Sequence, residues 1–437
     1  MRTPRRLFDD WITRSAAIVF LAIIALVVFN EYSKLPIEYP LFGVFVFAGV
    51  PILFVAGGIV FVLAIMAEAP QRQKLFFLMS AGAVGIILLV VGGYQLVQFT
   101  DSTAFCGRLC HRVMYPEFTV YQASPHSRVL CVNCHVGPGA GYLVKSKLAG
   151  VPLIFATLTG NYDRPIPAPV HSLRPARETC EQCHWPQRFT GDFAVQHTTY
   201  APDENNTSST DTRILRVGGG QAAAAQGIHW HVASTMYYLP LDDARQDIGW
   251  VSVETPQGRI EYINPGEAVQ VTDARIKKDK RLMDCVDCHN RATHQFNSPE
   301  DLLDNALVQG QIDASLPYLK RVATAALDPE NPSLQQAYDK VEAIKDFYST
   351  SYPDVYRQKS VAIDEAVGVI KGIAVLTTFP DMRVNWNTYL NNIGHQSSPG
   401  CFRCHGRLVA KNGPRQGQTI SANCTLCHYL VQGPLPK

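Results

Sequence analysis

Apolar residues crowd the first hundred positions of the chain and thin out after them. Three runs carry that density: "WITRSAAIVFLAIIALVVF" from Trp11, "LFGVFVFAGVPILFVAGGIVFVLAIM" from Leu41 and "KLFFLMSAGAVGIILLVVGGYQLV" from Lys74. Each approaches or exceeds the roughly 20 apolar residues that cross a hydrocarbon core, so the pattern predicts three transmembrane helices within 1–100. Buried core helices are a poor alternative, because nothing else in the chain could cover three such long apolar elements. Farther on, "RILRV", "WHVASTMYYL" and "WVSVETPQGRIEYI" read as strands, the last a hairpin turning at Pro-Gln-Gly, and they predict a small β insertion over 191–280. "NSPEDLLDNALVQGQI" opens with a cap at Asn297 or Ser298 and Pro299 in the first turn, and "PSLQQAYDKVEAIKDFY" and "DEAVGVIKGIAV" continue in helical period. The expected fold class is a mainly α membrane protein, with three N-terminal transmembrane helices followed by an extracytoplasmic domain that carries a small β insertion.

Charge orients these helices. Arg2, Arg5, Arg6 and Arg14 precede or enter the first run, Lys34 lies in the first connection, and Arg72 and Lys74 lie in the second. The excess of basic residues ahead of the first run places the N-terminus in the cytoplasm, and an odd number of crossings delivers everything after about Thr100 to the outer face. The first run lacks a small-residue cleavage site and two more spans follow it, which argues against a removed signal peptide. A chain of 437 residues, 47% hydrophobic and 17% charged, is long enough for two or three domains. Its net charge of +2 gives no support to a nucleic-acid partner.

All twelve cysteines fall into six close pairs, and a histidine follows the second cysteine every time. The sets are Cys106/Cys110/His111, Cys131/Cys134/His135, Cys180/Cys183/His184, Cys285/Cys288/His289, Cys401/Cys404/His405 and Cys424/Cys427/His428. Five are strict C-x-x-C-H, the attachment signature of c-type haem. Two thiols at this spacing form thioethers with the two vinyl groups on one haem edge, and the adjacent imidazole then reaches the iron. Disulfides or zinc knuckles use paired cysteines too, and so does a thioredoxin-like redox pair, but none of them explains six histidines at one fixed offset. The sequence therefore predicts six covalently attached haems. Attachment of this kind occurs outside a bacterial inner membrane, in agreement with the topology obtained from charge.

Thirteen histidines less the six in the motifs leave seven, one more than the number of haems: His126, His171, His197, His229, His231, His294 and His395. His126, His171 and His395 precede motifs, and His294 follows one closely. His229 and His231, in "IHWH", share one side of an extended segment if the flanking stretch is a strand, with one expected to be a ligand and the other structural. His197, ahead of a polar loop, is the weakest candidate. Two axial imidazoles saturate an iron and leave no place for substrate, so such haems carry electrons. Motif spacing divides the outer part into 101–190 with three motifs, the insertion 191–280, and 281–437 with three more. With six haems in about 335 residues, the cofactors are expected to supply much of the buried apolar surface. No nucleotide-binding glycine pattern appears, and nothing suggests a Ser-His-Asp hydrolase.

An apolar helix running into "FCGRLCHRVMYPEF", followed by "SPHSRVLCVNCHVGPGA", "VKSKLAG" and "RPARETCEQCH", resembles the NapC/NirT/NrfH family of membrane-anchored multihaem quinol dehydrogenases over about residues 96–190. The later "QGIHWHV", "MDCVDCHNRATH" and "NNIGHQSSPGCFRCH" look like the extended members of that family in metal-respiring and related bacteria. The resemblance implies electrons taken from menaquinol or ubiquinol in the membrane quinone pool at the first haem and passed to periplasmic cytochromes or reductases. The core family has one anchor helix and usually four haems, where this chain has three apolar runs and six motifs. Its first motif is usually C-x-x-C-H-x-M, with the methionine able to ligate iron. Here the pattern is C-x-x-x-C-H-x-x-M, and Met114 is either a ligand or a residue packed on the haem edge. The first iron is thus left with His111, Met114 or a distant histidine such as His126. The family's quinol-site lysine corresponds to Lys147 or Lys145, which alternatively snorkel from an interfacial helix toward lipid headgroups, and Asp163 is the nearest acidic residue. A second reading makes the chain an electron-transfer subunit of a larger membrane complex without its own quinone site. A third, a periplasmic reductase with an open haem, is opposed by the surplus of histidines.

Overall fold

The computed structural model describes residues 71–109, 111–170, 173–189, 191–219 and 227–431, together with the single position 49. They belong to two compact units, 1–115 with 130–132, and 116–129 with 133–437. The apolar runs from Trp11 and Leu41 lie outside the described residues.

In the first unit the third run forms α1 (Gln71–Asp101), which leads into a π-helical turn, Phe105–Leu109, and then α2 (His111–Gln122), whose residues from Pro116 belong to the second unit. Ile86, Leu89, Val90 and Tyr94 of α1 are exposed. Counting only described residues, no helix is long and apolar enough to cross a membrane. Phe99, at the buried end of α1, meets Phe105 edge to face at 5.4 Å and joins the helix to the turn.

Beyond the end of α2 the second unit continues with α3 (Cys131–His135), which the unit boundary also cuts, the 20-residue α4 (Ala140–Thr159) and the short α5 (Arg177–Cys180). Two antiparallel sheets follow. The first pairs β1 (Phe193–Tyr200) with β2 (Ser208–Leu215), and β2 with the C-terminal β8 (His428–Val431). The second runs in the order β6-β3-β4-β5-β7, from β3 (Met236–Pro240), β4 (Ile248–Thr255), β5 (Gly258–Ile263), β6 (Arg281–Leu282) and β7 (Val409–Ala410). β4 and β5 form the expected hairpin, with Thr255 opposite Gly258 across Pro256 and Gln257, and Gly258 has the positive φ that the turn requires. The other expected strand is divided: Trp230–Ala233 forms one helical turn, α6, and only Met236 onward pairs in the sheet. Strands β6, β7 and β8 come from beyond residue 280, so both sheets are completed by the C-terminal segment.

Between motifs four and five the chain builds a helical core. After α7 (Asp273–Asp279), Ser298 caps α8 (Pro299–Val308) by accepting from Asp301 N, and Ser333 caps α10 (Leu334–Glu342) by accepting from Gln336 N. With α9 (Leu319–Ala326), α11 (Ile344–Ser351) and α12 (Pro353–Thr377), they close over Leu303, Leu316, Leu319, Val341, Tyr348, Ile363 and Ile370. Burying each of these large side chains is worth about 1.5–3 kcal/mol. Over this stretch the chain supplies its own buried apolar surface. The segment from Pro299 to Thr377 carries no motif, and its helical apolar period is satisfied by its own side chains. Asn206 ties the β1–β2 loop to it, donating to Ala314 O and Leu316 O and accepting from Lys320 N, while Lys320 and Asp304 form a buried ion pair.

Candidate haem-binding site

Each strict motif folds as one tight helical turn. In motifs three, four and five the histidine main-chain N–H donates to the carbonyl of the first cysteine: His184 to Cys180 at 2.8 Å, His289 to Cys285 at 2.8 Å, and His405 to Cys401 at 3.1 Å. Residues spaced by three and four along such a turn lie on one face, so both thiols and the imidazole are presented together. Local capping fixes the turns. Asp284 and Asp287 form a capping box at motif four, and Asn423 accepts from Thr425 N at motif six. At motif five Gly400 has φ +49°, and a Cβ there would run into the Gly394 carbonyl, so the approach to Cys401 requires glycine.

The first motif is built differently. Its extra residue falls in the π-helical turn Phe105–Leu109, whose i→i+5 bonding is one residue wider than the α-helical turn. The insertion is absorbed in the backbone rather than looped out. Cys110 lies outside the described residues, as does His171, while His111 opens α2 and Met114 is half-buried one turn on.

Five motif histidines each face a second histidine. Ring centroids are 6.1 Å apart for His135 and His294, 6.0 Å for His184 and His126, 6.3 Å for His289 and His229, 5.9 Å for His405 and His231, and 6.2 Å for His428 and His395. Two imidazoles on opposite sides of one metal ion, each nitrogen about 2 Å from it, place their centroids about 6.2 Å apart. All five separations fit an iron held between the rings and are too wide for direct contact stacking.

The outer ring nitrogens support the same orientation. His294 Nδ1 is 3.0 Å from Glu117 O, His229 Nδ1 3.1 Å from Val217 O, His231 Nδ1 2.8 Å from Ile228 O, and His405 Nδ1 2.6 Å from Ser421 O. Donation from Nδ1–H to a carbonyl leaves Nε2 with its lone pair for a metal and fixes the ring. His126 Nδ1 and His428 Nδ1 are buried without a hydrogen-bond partner among the described residues. Desolvation lowers His135, His231 and His289, and takes His294 down to about 4, which keeps these imidazoles neutral as ligation requires.

The disulfide and zinc alternatives fit poorly. In motifs three to six the cysteines are not joined in disulfides. Among the described residues no three or more His, Cys, Asp or Glu side chains converge as on a single metal ion. Instead the motifs meet one another. Cys131 hydrogen-bonds Cys106 and is lowered to about 7, and Cys180 hydrogen-bonds Cys285 and is likewise lowered to about 7. Burial pushes Cys288 up to about 11 and Cys404 up to about 12, and the two lie within electrostatic reach of each other.

The motif cysteines differ in exposure. Cys134 of motif two, Cys183 of motif three and Cys424 of motif six are exposed, whereas Cys131, Cys180 and Cys427 of the same motifs are half-buried. In motifs two and three the reason is the meeting of motifs just described. Cys131 is turned toward Cys106 and Cys180 toward Cys285, while Cys134 and Cys183 stand at the open side of their turns. A haem edge reaches an exposed thiol as readily as an enclosed one, so the spacing argument for thioether attachment still holds at Cys134 and Cys183.

His229 and His231 depart from expectation. They stand on either side of Trp230 at the start of α6, not on a strand. Residues two apart diverge on a helix where they would align on a strand, so the two rings reach different motifs, four and five. His197 lies on β1 opposite Asp211, and Asp163 is exposed. Lys145 is exposed and Lys147 half-buried on α4; two positions apart on a helix, they point in different directions.

Two residues were not anticipated. Arg403, inside motif five, is buried and donates to Gly400 O at 2.9 Å, Arg245 O at 2.9 Å and Asp287 O at 2.6 Å, linking motif five to motif four and to the β3–β4 loop. Asp287, inside motif four, accepts from Tyr238 Oη at 2.5 Å and sits 3.6 Å from Arg245. Charged residues between the motif cysteines were the available signal. Beside His294, burial raises the Glu117 carboxyl, with the Arg291 guanidinium opposing, and Arg291 in turn lies 4.0 Å over the Tyr389 ring.

Residues 69–166 match the model of the NapC/NirT cytochrome c family, N-terminal region. The chain is 42% identical over 365 residues to cytochrome c-type protein ImcH of Geobacter sulfurreducens, covering 83% of this chain and 71% of that protein. It is 26% identical over 135 residues to cytochrome c-type protein NapC of Haemophilus influenzae, covering 28% of this chain and 68% of the relative. It is 28% identical over 106 residues to cytochrome c-type protein NrfH of Wolinella succinogenes, covering 23% and 59%. No solved structure matches.

Proposed function

Because the chain belongs to the NapC/NirT family of membrane-anchored, multihaem electron-transfer cytochromes c, we propose that it is a hexahaem quinol dehydrogenase of the bacterial inner membrane. In this reading it oxidises quinol beside its first motif and delivers electrons to a periplasmic cytochrome or reductase. When bound, each haem supplies one-electron carriage, because an iron with two axial imidazoles has no open position for substrate.

The residues divide that work. The six cysteine pairs would hold the haems covalently and the five facing histidine pairs would ligate their irons, leaving the first motif to His111 with Met114 or His171. Quinol gives up two protons and two electrons, so the chain must offer a base at the oxidation site. Lys147 Nζ hydrogen-bonds one quinol oxygen, an Asp163 carboxylate oxygen takes one proton and releases it to bulk water before taking the second, and haems held at the first and second motifs would accept one electron each, with Lys145 directed elsewhere by its position on the helix. Three N-terminal helices, with the N-terminus in the cytoplasm, keep the first motif at the bilayer.

The observation that carries this reading is the set of five imidazole pairs at 5.9–6.3 Å, which suits carriage rather than substrate turnover. The test is reduction of the purified full chain, in detergent or liposomes, by a menaquinol analogue. Rapid reduction of the haem absorbance is expected. Intact haems that stay oxidised would overturn the quinol site and favour the second reading, an electron-transfer subunit of a larger membrane complex. That reading is supported by three apolar runs, more than anchoring requires.

A further inference from the structure

Helix α4 buries none of its 20 residues, although most of them are apolar. Val144, Leu148, Val151, Phe155 and Leu158 recur at spacings of four and three, which aligns them as one stripe along the helix. All five are exposed, from 47% at Val151 to 75% at Leu158. Water is a poor neighbour for such a stripe, since apolar surface left exposed forgoes the gain of its burial.

We infer that this stripe is a lipid-facing surface, by which the haem-bearing unit itself lies on an anionic phospholipid bilayer. Charge favours lipid over a partner helix. Between Ala140 and Thr159 there is no acidic residue, and the only charges are Lys145 and Lys147, which flank the stripe on its two sides. A helix that pairs with another helix usually carries charges of both signs beside its seam, whereas one lying in a headgroup region carries cations there. The helix is also prepared for an apolar medium. Thr157 Oγ1 donates to Leu153 O and Thr159 Oγ1 to Phe155 O, each at 2.8 Å, so both hydroxyls are satisfied within the helix. Gly160 then ends it in a left-handed cap, donating to Ala156 O and Thr157 O. On the other side, Arg174 stacks over the Tyr142 ring at 3.9 Å and donates to Pro138 O, which secures the start of α4 to the unit.

The inference is independent of quinol chemistry and is tested without it. The full chain, reconstituted in vesicles of anionic or zwitterionic phospholipid doped with an acyl-chain diazirine lipid, is photolysed and its peptides mapped. Expected is label within 148–159 as well as in the N-terminal runs, stronger in anionic vesicles. The double variant Leu148→Glu/Phe155→Glu should lower the 148–159 label about tenfold while the N-terminal label and haem spectrum stay unchanged. Both altered side chains are exposed, so the fold tolerates the change. Absence of label from 148–159 while the N-terminal runs are labelled would overturn the inference. So would conversion of a detergent-solubilised dimer to monomer by the double variant, which would assign the stripe to a second copy.

Discussion

Replacing Arg403 with methionine would remove a buried guanidinium and leave a side chain of similar length, separating its hydrogen bonds from its packing. Three carbonyls lose their donor: Gly400 O and Arg245 O, each at 2.9 Å, and Asp287 O at 2.6 Å. Hydrogen bonds from a charged donor contribute about 1.5–3 kcal/mol each, and a buried carbonyl without a partner costs about 1–3 kcal/mol. Asp287 O keeps the Asn392 amide at 3.3 Å, so the loss falls mainly on the other two. The Asp287 carboxylate keeps Tyr238 and Arg245, which spares the cost of a stranded charge. The sum is about 3–5 kcal/mol. Arg407→Met provides the comparison: Arg407 is half exposed and 3.8 Å from Asp247, an ion pair worth about 0–1 kcal/mol. Thermal unfolding followed by the low-spin haem absorbance should show a Tm lowered by about 5 °C for Arg403→Met, and by little for Arg407→Met. Equal behaviour of the two variants would refute Arg403 as the clamp between motifs four and five.

Other outcomes follow from the same geometry. His231→Ala should open a ligand position opposite His405, so that the reduced protein binds carbon monoxide at one haem per chain more than the unaltered chain does; His197→Ala should leave that stoichiometry unchanged. Lys147→Gln should lower kcat/KM for a menaquinol analogue by about 10–100-fold with haem content unchanged, as expected for loss of a positioned charged hydrogen-bond donor. In the helical core, hydrogen bonds from Lys345 and then Lys371 lower Glu342 below its ordinary 4.5. Its contribution is therefore fully present above pH 4.5 and is lost as pH falls through the depressed value. Lys345→Met should flatten that acid limb of the unfolding curve by up to about 1 kcal/mol, and an unchanged limb would refute the linkage.

Much of the site was legible because haem attachment writes its spacing into the chain. The motifs and the distal candidates stand in the sequence, and the π turn at Phe105–Leu109 explains the one irregular copy. Pairing was not legible, since it depends on contacts across the fold: His294 faces His135, 159 positions earlier, and His126 faces His184 rather than serving its nearest motif. Nor was the exposure of Cys134 and Cys183, because a motif's spacing is the same whether its turn lies inside the protein or at its surface. The divergence of His229 and His231 turned on one helical turn, where local period could not separate a helix of four residues from a strand. The core of Pro299–Thr377 was legible as helices but not as a core, because amphipathic periods show which face is apolar and not what covers it.

The most direct measurement is a near-infrared magnetic circular dichroism spectrum of the oxidised full chain, which distinguishes bis-imidazole from imidazole–methionine iron, with the intensity calibrated against haem content. Six haems per chain are expected, at least five of them low-spin with two imidazoles, and any methionine-ligated or high-spin signal confined to a single haem. Two or more haems lacking a second imidazole would contradict the paired-histidine arrangement and the electron-carrying role built on it.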